Sequence, residues 1–432
     1  MTFAIRAVHA RQIWDSRGRP TVEAEVTLAG GGVGRGIAPT GASRGEREAV
    51  ERRDGGAQFA GLGVDGALAA VRGPIAAALL GADARDQTGV DGRLIELDGT
   101  PNKARLGGNA TVAVSMAVLQ AAAAGEGQPL WRYLAAGQPV RLPLPEVQIF
   151  GGGAHAGRRT DVQDFMVMAP HAGSLRRALE ITADIYHAAG ALMAERGSSA
   201  GVADEGGWWP AFDSNEAALE ALTAAIERAG YRPGEDAFIS LDIAASEFGR
   251  GGRYRLALDG RELDSEGLVG KLSAWTRNYP ILSIEDPAGQ DDPAGMAATV
   301  RAFGDRVQVI GDDYLVTSAR RVRDAAAEGC ANAALIKVNQ AGTVSEAKAA
   351  LDAAKAAGWG TIVSARSGET EDVTIAHLAV GWDAGQIKVG AFARSERMAK
   401  WNELLRIEEA LGQEAVFAGA DALPVRPFSA RS

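Results

Sequence analysis

Polar and apolar positions alternate along Thr21-Val-Glu-Ala-Glu-Val-Thr-Leu28, and this period of two predicts a half-exposed strand ending at Gly30-Gly31-Gly32. Alanine-rich stretches at 64–81 and 109–124 follow with helical texture. Strands first and helices after predict an α+β domain over residues 1–140. The proline-punctuated stretch 137–145 marks its end.

From 141 to 432 the pattern changes. Short apolar runs at 146–150, 162–169, 237–242, 280–285, 307–311, 333–338, 360–364 and 386–390 read as strands. Helical segments at 173–196, 213–229, 293–303, 317–328, 343–357 and 370–380 separate most of them. Such alternation predicts parallel strands with crossover helices, and about eight strands is the number that closes a barrel. The first two strands leave no room for a helix between them, so the barrel is expected to start irregularly. The expected fold class is α/β.

Composition narrows what such a molecule does. Its 432 residues are 46% hydrophobic and 23% charged, the balance of a globular protein. Lys plus Arg number 45 against 55 Asp plus Glu, a net charge of -10, which argues against nonspecific nucleic-acid or anionic-membrane binding. An anionic substrate therefore needs local positive charge, from a metal or from a few placed Lys and Arg. The single cysteine, Cys330, has no internal disulfide partner, and Arg6 and Arg11 interrupt any apolar leader. A reducing cytoplasm is expected. The stretch 111–125 falls short of the roughly 20 apolar residues that span a bilayer, so no membrane segment is expected.

In a parallel barrel chemistry gathers at the C-terminal strand ends. Phe238-Ile-Ser-Leu-Asp242, Leu282-Ser-Ile-Glu285-Asp286 and Val309-Ile-Gly-Asp312-Asp313 each close an apolar run with carboxylates. One such carboxylate often caps the next helix. Three in series would repel one another without a cation, and hard oxygen ligands suit magnesium, so Asp242, Glu285 and Asp312 are candidate ligands. The next strands change sign: Lys337 lies among Leu335, Ile336 and Val338, and Lys388 sits in Gln386-Ile-Lys388-Val-Gly390. A desolvated lysine beside other positive charge becomes a usable base, while its bland alternative is a structural ion pair. Glu205, framed by glycines in Asp204-Glu205-Gly206-Gly207, is a candidate general acid. Arg366 and Ser367, just past the strand ending at Ser364, suit a phosphoryl group.

These residues fall within motifs that resemble the enolase family nearly end to end. The motifs are Arg11-Gln-Ile-Trp-Asp-Ser-Arg-Gly-Arg-Pro-Thr-Val-Glu23, Pro39-Thr-Gly-Ala-Ser-Arg-Gly45, Gly152-Gly-Ala-His155-Ala-Gly157 and Asp204-Glu-Gly-Gly207. They continue through Leu241-Asp-Ile-Ala-Ala-Ser-Glu-Phe248, Ser283-Ile-Glu-Asp286, Leu335-Ile-Lys-Val-Asn-Gln340, Ser367-Gly-Glu-Thr-Glu-Asp372 and Ala393-Arg-Ser-Glu-Arg397. The resemblance implies a small N-terminal α+β domain capping a modified eight-stranded, TIM-like β/α barrel, commonly as a homodimer or higher homo-oligomer. It implies two Mg2+ ions, the first held by Asp242, Glu285 and Asp312, with Lys337 removing the proton alpha to a carboxylate. Glu205 would protonate the leaving hydroxyl, with His155 and Asp164 nearby. Arg366 and Ser367 would bind the phosphoryl group and Lys388 the carboxylate region. The loop from Thr40 to Ser43 would close over the substrate and help hold the second ion.

The chain departs from the family's usual pattern at several of these places. Ala365 stands where Ser-His-Arg is usual, Asp164 replaces a glutamate, Thr40 replaces a serine, and Trp208 and Trp209 follow the Glu-Gly-Gly motif. A missing imidazole changes the proton inventory around the acid. These changes lead to the expectation of a specialised relative acting on a phosphorylated or phosphonylated glycerate, resembling a carboxyphosphonoenolpyruvate synthase of phosphinothricin-type phosphonate biosynthesis. An ordinary glycolytic enolase and a non-catalytic binding protein are the alternatives. A racemase branch would carry Lys-x-Lys on the second barrel strand, and 162–168 has no lysine.

Overall fold

A computed structural model describes residues 2–197 and 199–426. The predicted N-terminal strand is Pro20–Leu28, the centre of a three-stranded antiparallel sheet with Ile5–Trp14 and Val33–Ile37 at its edges. Val22, Ala24, Val26 and Leu28 are buried on one face, as alternation requires, and Glu23 on the other pairs with Arg11. The helix Gly108–Gly125 packs against this sheet and is buried on nearly every side. A Cβ on Gly34 or Gly36 would lie 2.2 or 2.4 Å from helix carbonyl oxygens, so only glycine allows this approach. This helix is the one described segment long and apolar enough to cross a bilayer, and 83% of it is buried inside the protein. Its apolarity is explained by the core it fills.

Eight strands form the barrel: Leu144–Gly151, Asp164–Met168, Phe238–Asp242, Ile281–Glu285, Gln308–Gly311, Ala333–Ile336, Gly360–Ser364 and Gly385–Gly390. Closure comes from pairing of the last with the first. The irregular start takes a definite form. Asp164–Met168 runs antiparallel to both neighbours, which corrects the expectation of parallel strands throughout. With only a short connection after Leu144–Gly151, the chain must return alongside it in the opposite direction. The chain then builds the helices Leu175–Glu195 and Asn215–Arg228, with a hairpin of Ser199–Val202 and Trp208–Pro210 between them. The remaining strands are parallel and joined by helices.

Two further corrections concern helices and the lysine strand. The helices Ser265–Asn278 and Ser395–Leu411 were not anticipated. The strand expected at 333–338 stops at Ile336, and Lys337 begins the short turn Val338–Ala341. The lysine therefore stands at the strand's end rather than within it.

The N-terminal segment reaches across the barrel mouth. Thr40 and Gly368 exchange backbone hydrogen bonds of 2.9 and 2.8 Å, and Ser16 N donates to Glu369 O at 2.8 Å.

Candidate active site

The strand ends bring the predicted charges together. Asp242 and Glu285 are cross-strand partners, and Asp312 follows the adjacent strand. Lys388 Nζ lies 3.0 Å from Asp242, 2.7 Å from Glu285 and 3.3 Å from Asp164. Lys337 Nζ donates to Asp312 Oδ2, whose other oxygen accepts from Gln340 Nε2 at 2.8 Å. All are nearly or fully buried. In such a site ion pairs keep most of their strength.

Electrostatics follow from this crowding. Burial and then Asp242 push the Glu285 carboxyl well above its ordinary value, against the pull of Lys388. Burial acts upward on Asp312 too, but Lys337 outweighs it and holds that carboxyl low. Burial lowers Lys337, yet Asp312 and Glu285 more than offset this and hold its ammonium above the usual lysine value. The expectation of a neutral Lys337 therefore does not follow from the protein's own groups. It requires that Asp312 be engaged by another cation.

The corner has the donor set for such a cation. Glu285 Oε1 and Gln163 Oε1 are buried and take no hydrogen bond among the described residues. Hard, unpartnered oxygens fit Mg2+, held by Asp242, Glu285 and Asp312. The closest groupings of potential ligand atoms, within 4.8 Å of one another, are however Asp286 with Asp312 and Asp313, and His155 with Asp164 and Glu205. Asp242 and Glu285 are drawn instead toward Lys388. Asp286, with a φ of 40°, accepts from the backbone N–H groups of Asp312 and Asp313 at 2.8 and 2.7 Å. Sequence reasoning gave no role to Asp286, which shapes the loop presenting Asp312.

On the far side of Lys388 from Glu285, His155 Nδ1 is 3.0 Å from Oδ1 of Asp164, whose other oxygen is the one 3.3 Å from Lys388, and the imidazole Nε2 is 3.8 Å from Glu205 Oε1. Burial lowers the imidazole's affinity for a proton, but Asp164 and Glu205 outweigh it and raise His155 to about 9. Glu205 is fixed by its carbonyl, which accepts from Ala391 N at 2.9 Å. A Cβ on Gly390 would lie 2.6 Å from that carbonyl, which explains a glycine at the end of the last strand. Gln148, absent from the sequence prediction, donates to Asp164 and accepts from Gly207 N at 2.8 Å, tying the two acidic segments together.

The phosphoryl candidates lie under the N-terminal segment. Arg366 donates to Glu48 at 3.0 and 3.2 Å, to Asn339 at 3.1 Å and to Ser43 O at 3.0 Å. Its guanidinium is thus already engaged, and Glu48 is a partner that sequence reasoning missed. Ser367 Oγ accepts from Ala42 N at 2.6 Å. Thr40 Oγ1 accepts from Arg53 at 3.2 Å, and Ser43 contributes its carbonyl rather than its hydroxyl. Arg17, also unassigned by sequence, donates to Thr40 O at 2.9 Å. Its Nε and Nη1 are buried without an acceptor among the described residues, which costs about 1–3 kcal/mol per group.

The enolase N-terminal domain model matches residues 5–134, and the enolase C-terminal TIM barrel domain model matches 139–425. The chain belongs to the enolase family. It is 49% identical over 427 residues, 97% of this chain and 98% of the relative, to "Enolase 1" of Desulfitobacterium hafniense (strain Y51). Membership makes it a carbon–oxygen lyase of the phosphopyruvate hydratase type. Within the enolase barrel, a lysine facing carboxylates across from a second, carboxylate-and-imidazole side can deprotonate carbon on one side and assist a leaving group on the other.

Proposed function

We propose that this enzyme catalyses the ordinary enolase reaction, the reversible dehydration of 2-phosphoglycerate to phosphoenolpyruvate. The observation that carries this reading is the position of Lys337, paired with Asp312 after the sixth barrel strand, and of the His155–Asp164–Glu205 group, anchored at the second, at the same barrel mouth. Lys337 takes the C2 proton. Glu205 gives a proton to the departing hydroxyl, with His155 and Asp164 fixing its surroundings. Lys388 faces the substrate carboxylate, and Arg366 and Ser367 hold the phosphoryl group, with Glu48 yielding part of its claim on Arg366. Thr40 and Ser43 belong to the segment covering the substrate. Removing a proton alpha to a carboxylate creates a dianion, so the step needs concentrated positive charge. Two Mg2+ ions, the first at Asp242, Glu285 and Asp312, would supply that charge and leave Lys337 without its counter-ion. We place the enzyme in the cytoplasm as a homo-oligomer, with 1–140 and 141–432 as its domains.

Ala365 and Asp164 favour a second reading, a specialised synthase acting on a phosphonylated analogue. Ala365 is 6% exposed and its N donates to Lys388 O, so its backbone adjoins that of the carboxylate-binding lysine. The high identity to a relative named as an enolase, over nearly the whole chain, makes the ordinary reaction the better-supported reading. Purified protein with Mg2+ and 2-phosphoglycerate should form phosphoenolpyruvate. No product in that assay, together with turnover once an activated phosphonoformate is added, would transfer support to the synthase. No turnover and no Mg2+ binding by calorimetry would leave a binding protein.

A further inference from the structure

The helix Ser395–Leu411 takes no part in the proton transfers, yet it puts two cations, Arg397 and Lys400, at 0% exposure against the phosphoryl-binding loop 366–370. Burying charge is expensive, and an apolar side chain of similar volume fills space at less cost, so packing alone does not account for them. Lys400 Nζ donates to Thr370 O at 2.6 Å and lies 3.1 Å from Glu369 Oε2, while Glu369 Oε1 accepts from Arg366 N at 3.0 Å. Arg397 Nη2 donates to Ser367 O at 2.7 Å. Its Nη1 donates both to Arg366 O at 2.7 Å and to Val389 O at 2.8 Å. The remaining carbonyls of the loop, those of Gly368 and Glu369, accept from Thr40 N and Ser16 N. Every carbonyl from Arg366 to Thr370 is thus engaged, and the helix holds those at 366, 367 and 370.

The bridge made by Nη1 stands at a decisive place. The last two barrel strands pair Ser364 with Lys388, and Ala365 N then donates to Lys388 O. One residue further along each chain are Arg366 O and Val389 O, two acceptors that cannot bond to one another. A donor shared between them closes the gap and sets its width. The guanidinium has little freedom there, because a Cβ on Gly390 would lie 3.0 Å from Arg397 Cδ, and Nε is 3.5 Å from Glu396 Oε1. Its planar fork also presents its donors in fixed directions, which an ammonium does not.

We propose that Arg397 is a positioning residue that sets the spacing between the phosphoryl-binding pair Arg366 and Ser367 and the carboxylate-facing Lys388. The enzyme thereby selects ligands by the separation of their two anionic ends. This rests on the enolase reading and adds to it the element that measures the substrate.

The test compares a two-ended ligand with a one-ended one, in the full chain at saturating Mg2+. KM for 2-phosphoglycerate reports on both subsites together, and competitive inhibition by inorganic phosphate reports on the phosphoryl subsite alone. Arg397→Met keeps much of the side chain's length without its donors. It should raise KM about tenfold or more, while the inhibition constant of phosphate moves by about threefold at most. Arg397→Lys keeps the charge without the fork and should recover part of the loss in KM. Equal weakening of the two ligands would overturn the proposal, since a loosened loop with no change of spacing gives that result. A lowered unfolding temperature with both constants unchanged would also overturn it, as the mark of a purely structural side chain. Phosphate that does not compete would remove the separate subsite on which the spacing depends. If Arg397→Met does not fold, the same comparison in Arg397→Lys decides, and no split there counts against the proposal. If the unaltered enzyme forms no phosphoenolpyruvate, the enolase reading has failed and the proposal falls with it. An active enzyme whose variants show no split leaves that reading intact and removes only the role of Arg397.

Discussion

The two sides of the active site are built differently. The base side stands on regular strand ends: Asp242 and Glu285 are cross-strand partners, Lys388 pairs in register with Ser364, and Lys337 follows the adjoining strand. The acid side takes Asp164 from a strand, where it pairs with Asp242, and its other members from loops. His155 lies in the short turn Gly153–Ala156, between glycines with φ of 46° and 61°, and Glu205 precedes Gly206 with a φ of 91°. Strand geometry sets the spacing of groups whose charges must balance within a fraction of an ångström. Loop geometry depends on distant anchors such as Ala391 N and Arg394, so the acid's position can respond to the segments around it.

The sharpest way to break this comparison is to remove the lysine of its base side. Lys337→Ala should lower C2 hydrogen exchange and phosphoenolpyruvate formation together, by up to about 10⁴-fold. Persistence of exchange at the original rate would remove Lys337 as the base. Next in size, Glu205→Gln should slow product formation by about 10²-fold or more while exchange survives, because the carbanion still forms but its hydroxyl leaves unassisted. If both rates fell equally, the two sides would not be separate in function.

A smaller effect tests the charge held on the acid side. His155 is raised to about 9 by Asp164 and Glu205, against burial. Below the unfolded-state value near 6.5 the protonated imidazole contributes its full pairing to stability. As pH rises from there through about 9 that contribution is lost, because the folded state surrenders a proton the unfolded state no longer holds. Denaturant unfolding across this window should show a decline of order 3 kcal/mol at most, and His155→Gln should flatten it. An unchanged slope in the variant would mean that another group titrates there.

The same division governs what could be read in advance. Apolar runs ending in Asp242, Glu285 and Asp312 are visible in the sequence because burial and chemistry meet at consecutive positions. The direction of Asp164–Met168 is not, since a strand's residue pattern is the same whichever way it runs. The helix Ser265–Asn278 does carry a start signal in Asp264, whose side chain accepts from Gly267 N. The helix Ser395–Leu411 carried none, because it begins after Arg394 at a φ of 71° with no side-chain cap. Glu48 on Arg366 joins residues 318 positions apart, and no local pattern announces such a pair. Asp286 was visible as an acid, but its work on two backbone N–H groups depends on a loop that exists only in the fold.

The smallest expected effect concerns Ala365, the departure that follows the strand beside Lys388. It follows the strand Gly360–Ser364, donates its N–H to Lys388 O, and is nearly buried. An imidazole there would add a titratable group at the end of the strand beside Lys388, to a mouth whose titratable groups already include His155 and Glu205. Ala365→His should therefore raise the rate of 2-phosphoglycerate dehydration by a few-fold, on the order of 1 kcal/mol in the barrier, with C2 exchange unaffected. A matching rise in exchange would place the new group's influence on the Lys337 side. An unchanged dehydration rate would show that the acid loop, rather than the missing imidazole, limits protonation of the leaving group. In that case Ala365 would mark the shape of the substrate pocket and not its acidity.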